Sequence, residues 1–317
     1  MKKQKKLWIV DLGIEMTKIV VGFVTASGLV QIEEIRIEKT PENYLENTQI
    51  MGAFLRPLLK KHRGQDELML LINHKEMLVG TFAFPMMTLQ EVEDAIYWKM
   101  QLLVTGDIDN WRIDFTATER TQRFEYLGID DKKLDVLGVG IEKGLLRWYN
   151  RIFKKSGFVL NAIVPQFYTY TSLLNKDEDR PTLIIDMGKK STRLFYYNRS
   201  ALIENHRIEL DPSWDGETYL LHIIKVIEEI RQSPLGYGKG CDNEKLYLMG
   251  GESLHAGVRD YLSTRVEKEI HPTYFLLDES ERLIFPRPMT KAELCLITPG
   301  ICGLIKWAQT SGDGGLK

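Results

Sequence analysis

Two short segments of the chain place an aspartate and a glycine at the same spacing after an apolar run. The first reads IVDLGIEMTKIVVG and contains Asp11 and Gly13; the second reads IIDMGKKSTRLF and contains Asp186 and Gly188. A glycine turn can direct backbone N–H groups at a phosphate, and a carboxylate beside it can hold a hard cation such as Mg²⁺. The same pattern also fits an ordinary β-hairpin, and only the surrounding sequence can distinguish the two interpretations.

The elements around the two acids repeat. Each acid ends an apolar strand, and a polar turn, a second strand, a short turn and a third strand follow it. One such hairpin is common, but two, each opening one half of the chain, predict a duplicated architecture. A third element, EKLYLMGGESLHAGVRDYL, runs from an apolar strand through Gly250 and Gly251 into a helix. Paired glycines there let a planar ligand or another backbone come close.

Length and composition restrict the class of protein. A chain of 317 residues with 44% hydrophobic residues and a net charge of −2 is typical of a soluble protein with two compact domains, and it has no general attraction to nucleic acid. Three cysteines without a CxxC pair favour a reducing cytoplasm, and six scattered histidines argue against a metal centre. No run is apolar enough to span a membrane. The lysines of the first residues either touch an anionic membrane surface or are simply solvated.

The rest of the pattern is mixed α and β. Amphipathic periodicity predicts helices over 48–62, 88–103 and 142–157. Apolar runs predict further strands over 67–73, 111–119 and 133–141. Thr88 and Glu91 form a capping box at the start of the second helix, and Gly157 closes the third. The polar stretch 175–180 is predicted to link the two halves.

In this order and spacing, the features resemble the actin-like and sugar-kinase superfamily, and within it the type IV pilus assembly protein PilM family, a relative of the cell-division protein FtsA. The resemblance covers nearly the whole chain. Besides the two hairpins and the Gly-Gly turn, it depends on three segments, which are FPMMTLQEVEDAIYWKMQLL, WRIDFTATE and LDVLGVGIEKGLLRWYNRIFKKSGFVLNAIVPQFYTYTSLL. In PilM-like proteins a P…L…EE segment begins a helix, which is followed by a strand and then by a strand and helix ending in a glycine turn.

The resemblance implies a two-lobed actin-like fold, which is a duplicated RNase H-like α/β architecture. It implies a first lobe at 1–174 with a small inserted subdomain at 76–133, a second lobe at 181–310 and a disordered tail at 311–317. The small subdomain of the second lobe is predicted to be reduced or missing, because ALIENHRIELDPSWDGETYLLHIIKVIEEIRQSP passes almost directly from a strand into a long helix.

By resemblance, ATP and Mg²⁺ would lie in the cleft between the lobes, with Asp11 and Asp186 holding Mg²⁺. Gln166, in the segment that joins the lobes, would stand nearest to a catalytic role in water activation, and a structural role is the alternative. The implied nucleotide-binding residues are Asp11, Gly13, Thr17, Lys18, Asp186, Gly188, Ser191, Thr192, Gly250 and Gly251.

Several positions depart from the family pattern. The first turn carries Ile14, Glu15 and Met16 where small or hydroxyl residues are usual, and a carboxylate at Glu15 would repel a triphosphate. Lys189 and Lys190 in the second turn either offset Glu15 or are solvated. The missing subdomain would normally form one wall of the adenine pocket. These departures predict a degenerate member whose nucleotide binding is weak or lost.

The predicted function is a cytoplasmic pseudo-ATPase scaffold of a type IV pilus or related secretion platform, peripheral to the inner membrane. It would dock the cytoplasmic tail of an inner-membrane PilN-like partner in a groove within 78–118, using Phe82, Phe84, Trp98 and Met100. The alternative is that these side chains fill the core of the small subdomain. An active ATP-binding PilM-type ATPase that drives pilus assembly is the competing function, and a small-molecule kinase is a more distant one.

Overall fold

A computed structural model describes residues 5–42, 47–124, 129–174, 180–198, 201–233, 243–278 and 283–311. Of the predicted tail at 311–317 and the predicted linker at 175–180, all but residues 311 and 180 lie outside the described ranges. Within those ranges no helix is long and apolar enough to cross a membrane.

The described residues form both strands and helices. The strands are β1 (Leu7–Leu12), β2 (Met16–Val24), β3 (Val30–Lys39), β4 (Glu67–Ile72), β5 (Leu78–Pro85), β6 (Trp111–Phe124), β7 (Ile129–Glu142), β8 (Ala162–Pro165), β9 (Pro181–Met187), β10 (Ser191–Asn198), β11 (Ala201–Glu209), β12 (Lys245–Met249), β13 (Ile270–Pro272) and β14 (Leu283–Ile284). The α-helices are α1 (Thr48–Leu59), α2 (Leu89–Gln101), α3 (Lys143–Ser156), α4 (Gln166–Tyr170), α5 (Gly216–Gln232), α6 (Val258–Val266), α7 (Tyr274–Asp278) and α8 (Lys291–Ser311).

The two larger sheets have the same internal arrangement. The first has the strand order β14-β3-β2-β1-β4-β8 and the second β11-β10-β9-β12-β13. In each, three strands consecutive in the chain pair antiparallel, and the first of them also pairs parallel with a later strand, β1 with β4 and β9 with β12. The repeat that the two Asp-X-Gly segments predict is therefore present in the topology.

The repeat extends to individual residues of the hairpins. Asp11 lies opposite Lys18 in the register of β1 and β2, and Asp186 lies opposite Arg193 in the register of β9 and β10. Each acid therefore has a cationic residue at the matching point of the adjacent strand. Sequence analysis identified Lys18 but not Arg193.

Helices cover both faces of the first sheet. On one face α1 and α3 bury side chains such as Leu55 and Phe153 against β1 and β2, and on the other α8 buries Ile297 and Ile301. The predicted range 181–310 for the second lobe therefore needs correction, because β14 pairs with β3 and α8 completes the core of the first lobe. The apolar side of α8 would otherwise face water.

A third sheet of order β5-β7-β6 forms the small subdomain, with α2 packed on one of its faces. Phe84 and Met100 are 8% and 0% exposed in the core between them, so the prediction that these two contact a partner is wrong. Phe82 is half-buried and stacks on Phe84. Trp98 is 66% exposed because it lies on the opposite side of α2 from Met100.

In the second lobe, α5 and α6 pack against the sheet around Leu194, Ile223 and Leu262. The chain passes from β11 to α5 through residues 210–215, which contain neither helix nor strand. This confirms the prediction that the small subdomain of the second lobe is reduced or missing.

Candidate functional site in the cleft between the lobes

A cleft of about 390 Å³ lies where the two hairpins face each other, bordered also by the end of β4 and by the Gly-Gly turn after β12. Its volume falls within the range of small-molecule sites, roughly 300–1,000 Å³. The lining carries both signs of charge and is not a uniformly basic anion site. Its charged residues are Lys18, Lys75, Lys189, Lys190, Arg193, Arg207, Asp11, Glu15, Asp186, Glu209 and Glu252.

The two turns at the cleft have matching backbone hydrogen bonds. The Gly13 N–H donates to the Met16 carbonyl at 3.2 Å, and the Gly188 N–H donates to the Ser191 carbonyl at 3.0 Å. Each turn is also held by the residue that follows the third strand of its repeat. The N–H of Thr40 donates to the Glu15 carbonyl in the first turn, and the N–H of Leu210 donates to the Lys190 carbonyl in the second, each at 2.8 Å. Both turns are therefore fixed by backbone groups, whatever side chains the tips carry.

The first acid is neutralised by its own hairpin. Lys18 Nζ lies 3.1 Å from Asp11 Oδ2, and both side chains are largely buried. The two side chains meet because Asp11 and Lys18 lie opposite each other on the paired strands β1 and β2, so the pair forms without the second lobe.

The second acid is connected instead to the opposite lobe. Asn73, which follows β4, donates from Nδ2 to Asp186 Oδ2 at 3.4 Å, and its backbone carbonyl accepts a hydrogen bond from Arg193 Nη2. Asn73 thus contacts both members of the Asp186–Arg193 register pair. These contacts join the two lobes across the floor of the cleft.

Burial shifts the protonation of both groups on this floor. It raises the pKa of the Asp186 carboxyl to about 6, against the opposing effects of Lys18 and Arg193. It lowers the pKa of the Arg193 guanidinium to about 10, and the neighbouring Arg207 acts in the same direction. The charge on Asp186 is therefore only partly compensated by the surrounding cations.

The tips of the two turns carry opposite charges. Glu15 is exposed at the tip of the first turn, and Lys190 occupies the equivalent place in the second. Lys189 Nζ lies 3.6 Å from Glu252 Oε1, on the Gly-Gly side of the cleft. The two chemically different tips therefore share one backbone geometry.

The glycines after β12 have different roles. Gly250 has a φ of +90°, and a Cβ there would lie 2.3 Å from the Met187 carbonyl oxygen. Close packing against β9 is therefore enough to require a glycine at this position, without any ligand. A Cβ on Gly251 would meet its nearest side chain only at 4.0 Å. Contacts within the chain therefore do not require a glycine at that position.

The remaining predicted site residues divide into two groups. Ser191 and Gln166 line the cleft, together with the predicted aspartates, glycines and Lys18. Thr17 and Thr192 do not: both are fully buried, and their hydroxyls bond to Thr40 and Tyr219 respectively. The strand alternation that puts Lys18 in the cleft turns Thr17 to the other face.

A magnesium-bound triphosphate fits these residues poorly. Asp11 already pairs with Lys18, and the Asn73–Asp186 and Asn73–Arg193 contacts cross the floor where phosphates would lie. Glu15 adds a negative charge at the tip. Within the described ranges, no group of three histidine, cysteine or carboxylate side chains could hold a metal ion.

A second surface of interest lies outside the cleft, on α2. Leu89, Trp98 and Leu102 are 72%, 66% and 80% exposed. Trp98 and Leu102 are four residues apart and so lie one above the other on the helix, opposite Val92, Ile96 and Met100 in the core. An apolar strip on the solvent side of a helix is not needed for folding, so it marks a candidate contact surface.

Comparison with known proteins identifies the fold. No protein-family model and no curated protein sequence matches the chain. Among solved structures, a PilM–PilN type IV pilus biogenesis complex aligns with a TM-score of 0.74 at 14% identity, over 98% of this chain and 99% of that one. A Bacteroides thetaiotaomicron protein of unknown function with an actin-like ATPase fold aligns with a TM-score of 0.52 at 11% identity, over 96% of each chain.

The cytoplasmic domain of EpsL, an inner membrane component of the type II secretion system of Vibrio cholerae, aligns with a TM-score of 0.49 at 9% identity, over 97% of this chain and 95% of that one. That similarity is too low to support an inference. The two better alignments show that the chain has the two-lobed actin-like fold over nearly its whole length.

Proposed function

We propose that this protein is a cytoplasmic scaffold of a type IV pilus or related secretion assembly platform, in which nucleotide binding is weak or lost. The observation that carries the proposal is the floor of the cleft, where Lys18, Asn73 and Arg193 of the chain itself contact or oppose the two aspartates. The whole-length likeness to a PilM–PilN type IV pilus biogenesis complex supports a partner of the PilN type.

The surface on α2 supports the docking role. Trp98 and Leu102 provide exposed apolar area of the kind that forms the anchors of protein interfaces. Phe82 adds a half-buried aromatic ring at the edge of the same subdomain. We expect Trp98 and Leu102, and neither Phe84 nor Met100, to contact the partner.

The charge around this strip indicates the chemistry of the docked segment. Residues 86–110 contain one lysine, Lys99, and five acids, which are Glu91, Glu93, Asp94, Asp107 and Asp109. An acidic rim around an apolar strip complements a basic tail that carries one or two large apolar side chains. A second copy docking face to face through α2 would bring like charges together and is disfavoured.

The test is isothermal titration of the full chain with a synthetic peptide of the cytoplasmic tail of the PilN-like protein. Combined Trp98→Ala and Leu102→Ala should weaken binding by roughly thirtyfold, since anchor residues each contribute about 1–2 kcal/mol. The matched control is Leu221→Ala, which removes an exposed leucine from α5 and should leave affinity unchanged. Equal affinity in the α2 variant and the wild type would reject this docking surface.

An active ATPase is the second candidate, and the turn geometry that the two hairpins share, together with the 390 Å³ cleft, favours it. It predicts phosphate release from MgATP that Asp11→Ala abolishes. The scaffold proposal predicts no phosphate release that depends on Asp11.

A further inference from the structure

The helices α1 and α3 form one surface on the first lobe, on the opposite side of these helices from the first sheet. They approach closely at Gly52, where a Cβ would lie 2.9 Å from Lys155 Cβ. Arg56 Nη2 donates to the backbone carbonyl of Lys155 at 2.9 Å, which joins α1 to the last turn of α3. The two helices therefore present their outer sides as a single fixed surface, here called the α1–α3 face.

The α3 half of this face is uniformly basic. The helix contains no acidic residue, and its exposed cations are Lys143, Arg147, Arg151, Lys154 and Lys155. Four of them recur at spacings of three or four residues and so share the side opposite the buried Tyr149, Ile152 and Phe153. Within the described part of the chain, Arg147, Arg151 and Lys154 make no ion pair, so their charges are available to an external partner.

The α1 half adds exposed apolar side chains. This helix also lacks acidic residues, and its outward positions include Ile50, Ala53 and Pro57 beside the cations Arg56 and Lys60. Among the described residues, Ile50 and Pro57 are not part of the core of the first lobe. The outer sides of the two helices thus combine cations with small apolar projections, and the carboxylate next to α3 is that of its N-cap residue, Glu142, at one end of the face.

We propose that the α1–α3 face binds the surface of an anionic membrane. Basic side chains on an amphipathic helix are attracted to lipid phosphates, and neighbouring apolar side chains enter the boundary between headgroups and acyl chains. The net charge of the chain is −2, so the basic character is local to this face and contrasts with the acidic α2 surface. This contact goes beyond the proposed docking role and does not require the PilN-like partner.

Two other partners could engage a basic face, and the observations favour the membrane over both. A nucleic acid backbone would meet the cations but leave Ile50 and Pro57 without an apolar environment. The acidic α2 surface of a second copy would provide charge complementarity, but it would have to compete with a basic tail for the same strip. A planar lipid surface offers phosphates to the cations of α3 and an apolar environment to the exposed side chains of α1 at the same time.

The experiment is flotation of the full chain with vesicles of phosphatidylcholine alone or with about one third phosphatidylglycerol. The wild type should bind only the anionic vesicles, and binding should weaken as salt rises. Combined Arg147→Glu and Arg151→Glu should reduce binding by roughly tenfold or more, and Arg147→Gln with Arg151→Gln by less. Circular dichroism should show unchanged folding, because these side chains are exposed.

The matched control is Lys225→Glu with Arg259→Glu, which changes net charge equally at exposed positions of the second lobe. It should retain vesicle binding, and both double variants should retain binding to the partner's tail peptide. Equal loss in both double variants, or no preference of the wild type for anionic vesicles, would overturn the proposal. So would self-association in sedimentation velocity, or a duplex DNA mobility shift, that is lost in the Arg147 and Arg151 variant.

Discussion

The hairpin of the first lobe and that of the second share a backbone but differ in chemistry. In each, a glycine N–H donates to the carbonyl three residues later, and the residue after the third strand fixes the tip. Yet the tip residue is Glu15 in one and Lys190 in the other. Because backbone groups hold both turns, the tip side chains contribute little to the fold, and the two have come to carry opposite charges without altering it.

The two aspartates differ in a corresponding way. Asp11 is paired with Lys18 inside its own hairpin. Asp186 faces Arg193 in register, but the guanidinium of Arg193 donates to the carbonyl of Asn73 in the first lobe. The first hairpin therefore pairs its aspartate with a lysine of its own second strand, whereas in the second hairpin the arginine opposite the aspartate bonds to the other lobe.

The largest expected effect is loss of the contact between the lobes. Arg193→Met should lower the free energy of unfolding by about 3 kcal/mol, because it leaves the half-buried Asp186 with less compensation and the Asn73 carbonyl without this donor. Lys18→Met should cost about 2 kcal/mol, since it breaks a largely buried pair within one hairpin and leaves the Asp11 carboxylate without this partner. Urea denaturation measures both. Equal losses would mean that the two hairpins are equivalent.

The protonation of Asp186 should produce the next effect. Its pKa is about 6 in the folded chain and about 3.9 when unfolded, so between these values the folded state binds more protons and stability rises as pH falls. Asp186→Asn should therefore be more stable than the wild type at pH 7 by about 3 kcal/mol, and the gap should close toward pH 4. A gap that is constant from pH 7 to pH 4 would contradict the raised pKa.

The glycines of the two turns should tolerate a methyl group differently. A Cβ on Gly13 would lie 2.6 Å from the Met16 carbonyl oxygen, whereas one on Gly188 would lie 3.2 Å from that of Ser191. Gly13→Ala should cost about 1.5 kcal/mol and Gly188→Ala about 0.5 kcal/mol. Thermal denaturation of the pair checks this order, and the reverse order would show that the second turn is the tighter one.

The smallest effect should follow from making the tips alike. Glu15→Lys changes an exposed side chain whose backbone carbonyl already accepts a hydrogen bond from Thr40. We expect a change in unfolding free energy within about 0.5 kcal/mol. A larger loss in urea denaturation would show that the tip side chains, and not the backbone, hold the turns.

Local sequence patterns predicted the local structure well. The capping box at Thr88 and the left-handed Gly157 are both present, and the Asp-X-Gly spacing located both turns. The direct passage from β11 to α5 was also visible, because so few residues separate strand from helix. Each of these signals depends on neighbours in the chain.

Features that depend on distant neighbours were missed. Arg193 stands seven residues after Asp186, as Lys18 stands seven after Asp11, so aligning the two repeats would have found it. Asn73 gave no such signal, since its role arises only when the lobes meet. The packing of α8 against the first sheet could not be predicted either, because its long apolar sequence does not indicate which core it enters. The burial of Met100 follows from the four-residue spacing of Val92, Ile96 and Met100.

The central proposal is that nucleotide binding in the cleft of this actin-like fold is weak or lost. Thermal denaturation of the purified chain with and without excess MgATP tests it most directly. A ligand present at about one hundred times its dissociation constant stabilises a fold by roughly 2.7 kcal/mol, enough to raise the melting temperature by several degrees. The account predicts no measurable shift. A shift of several degrees that Asp11→Ala abolishes would contradict it.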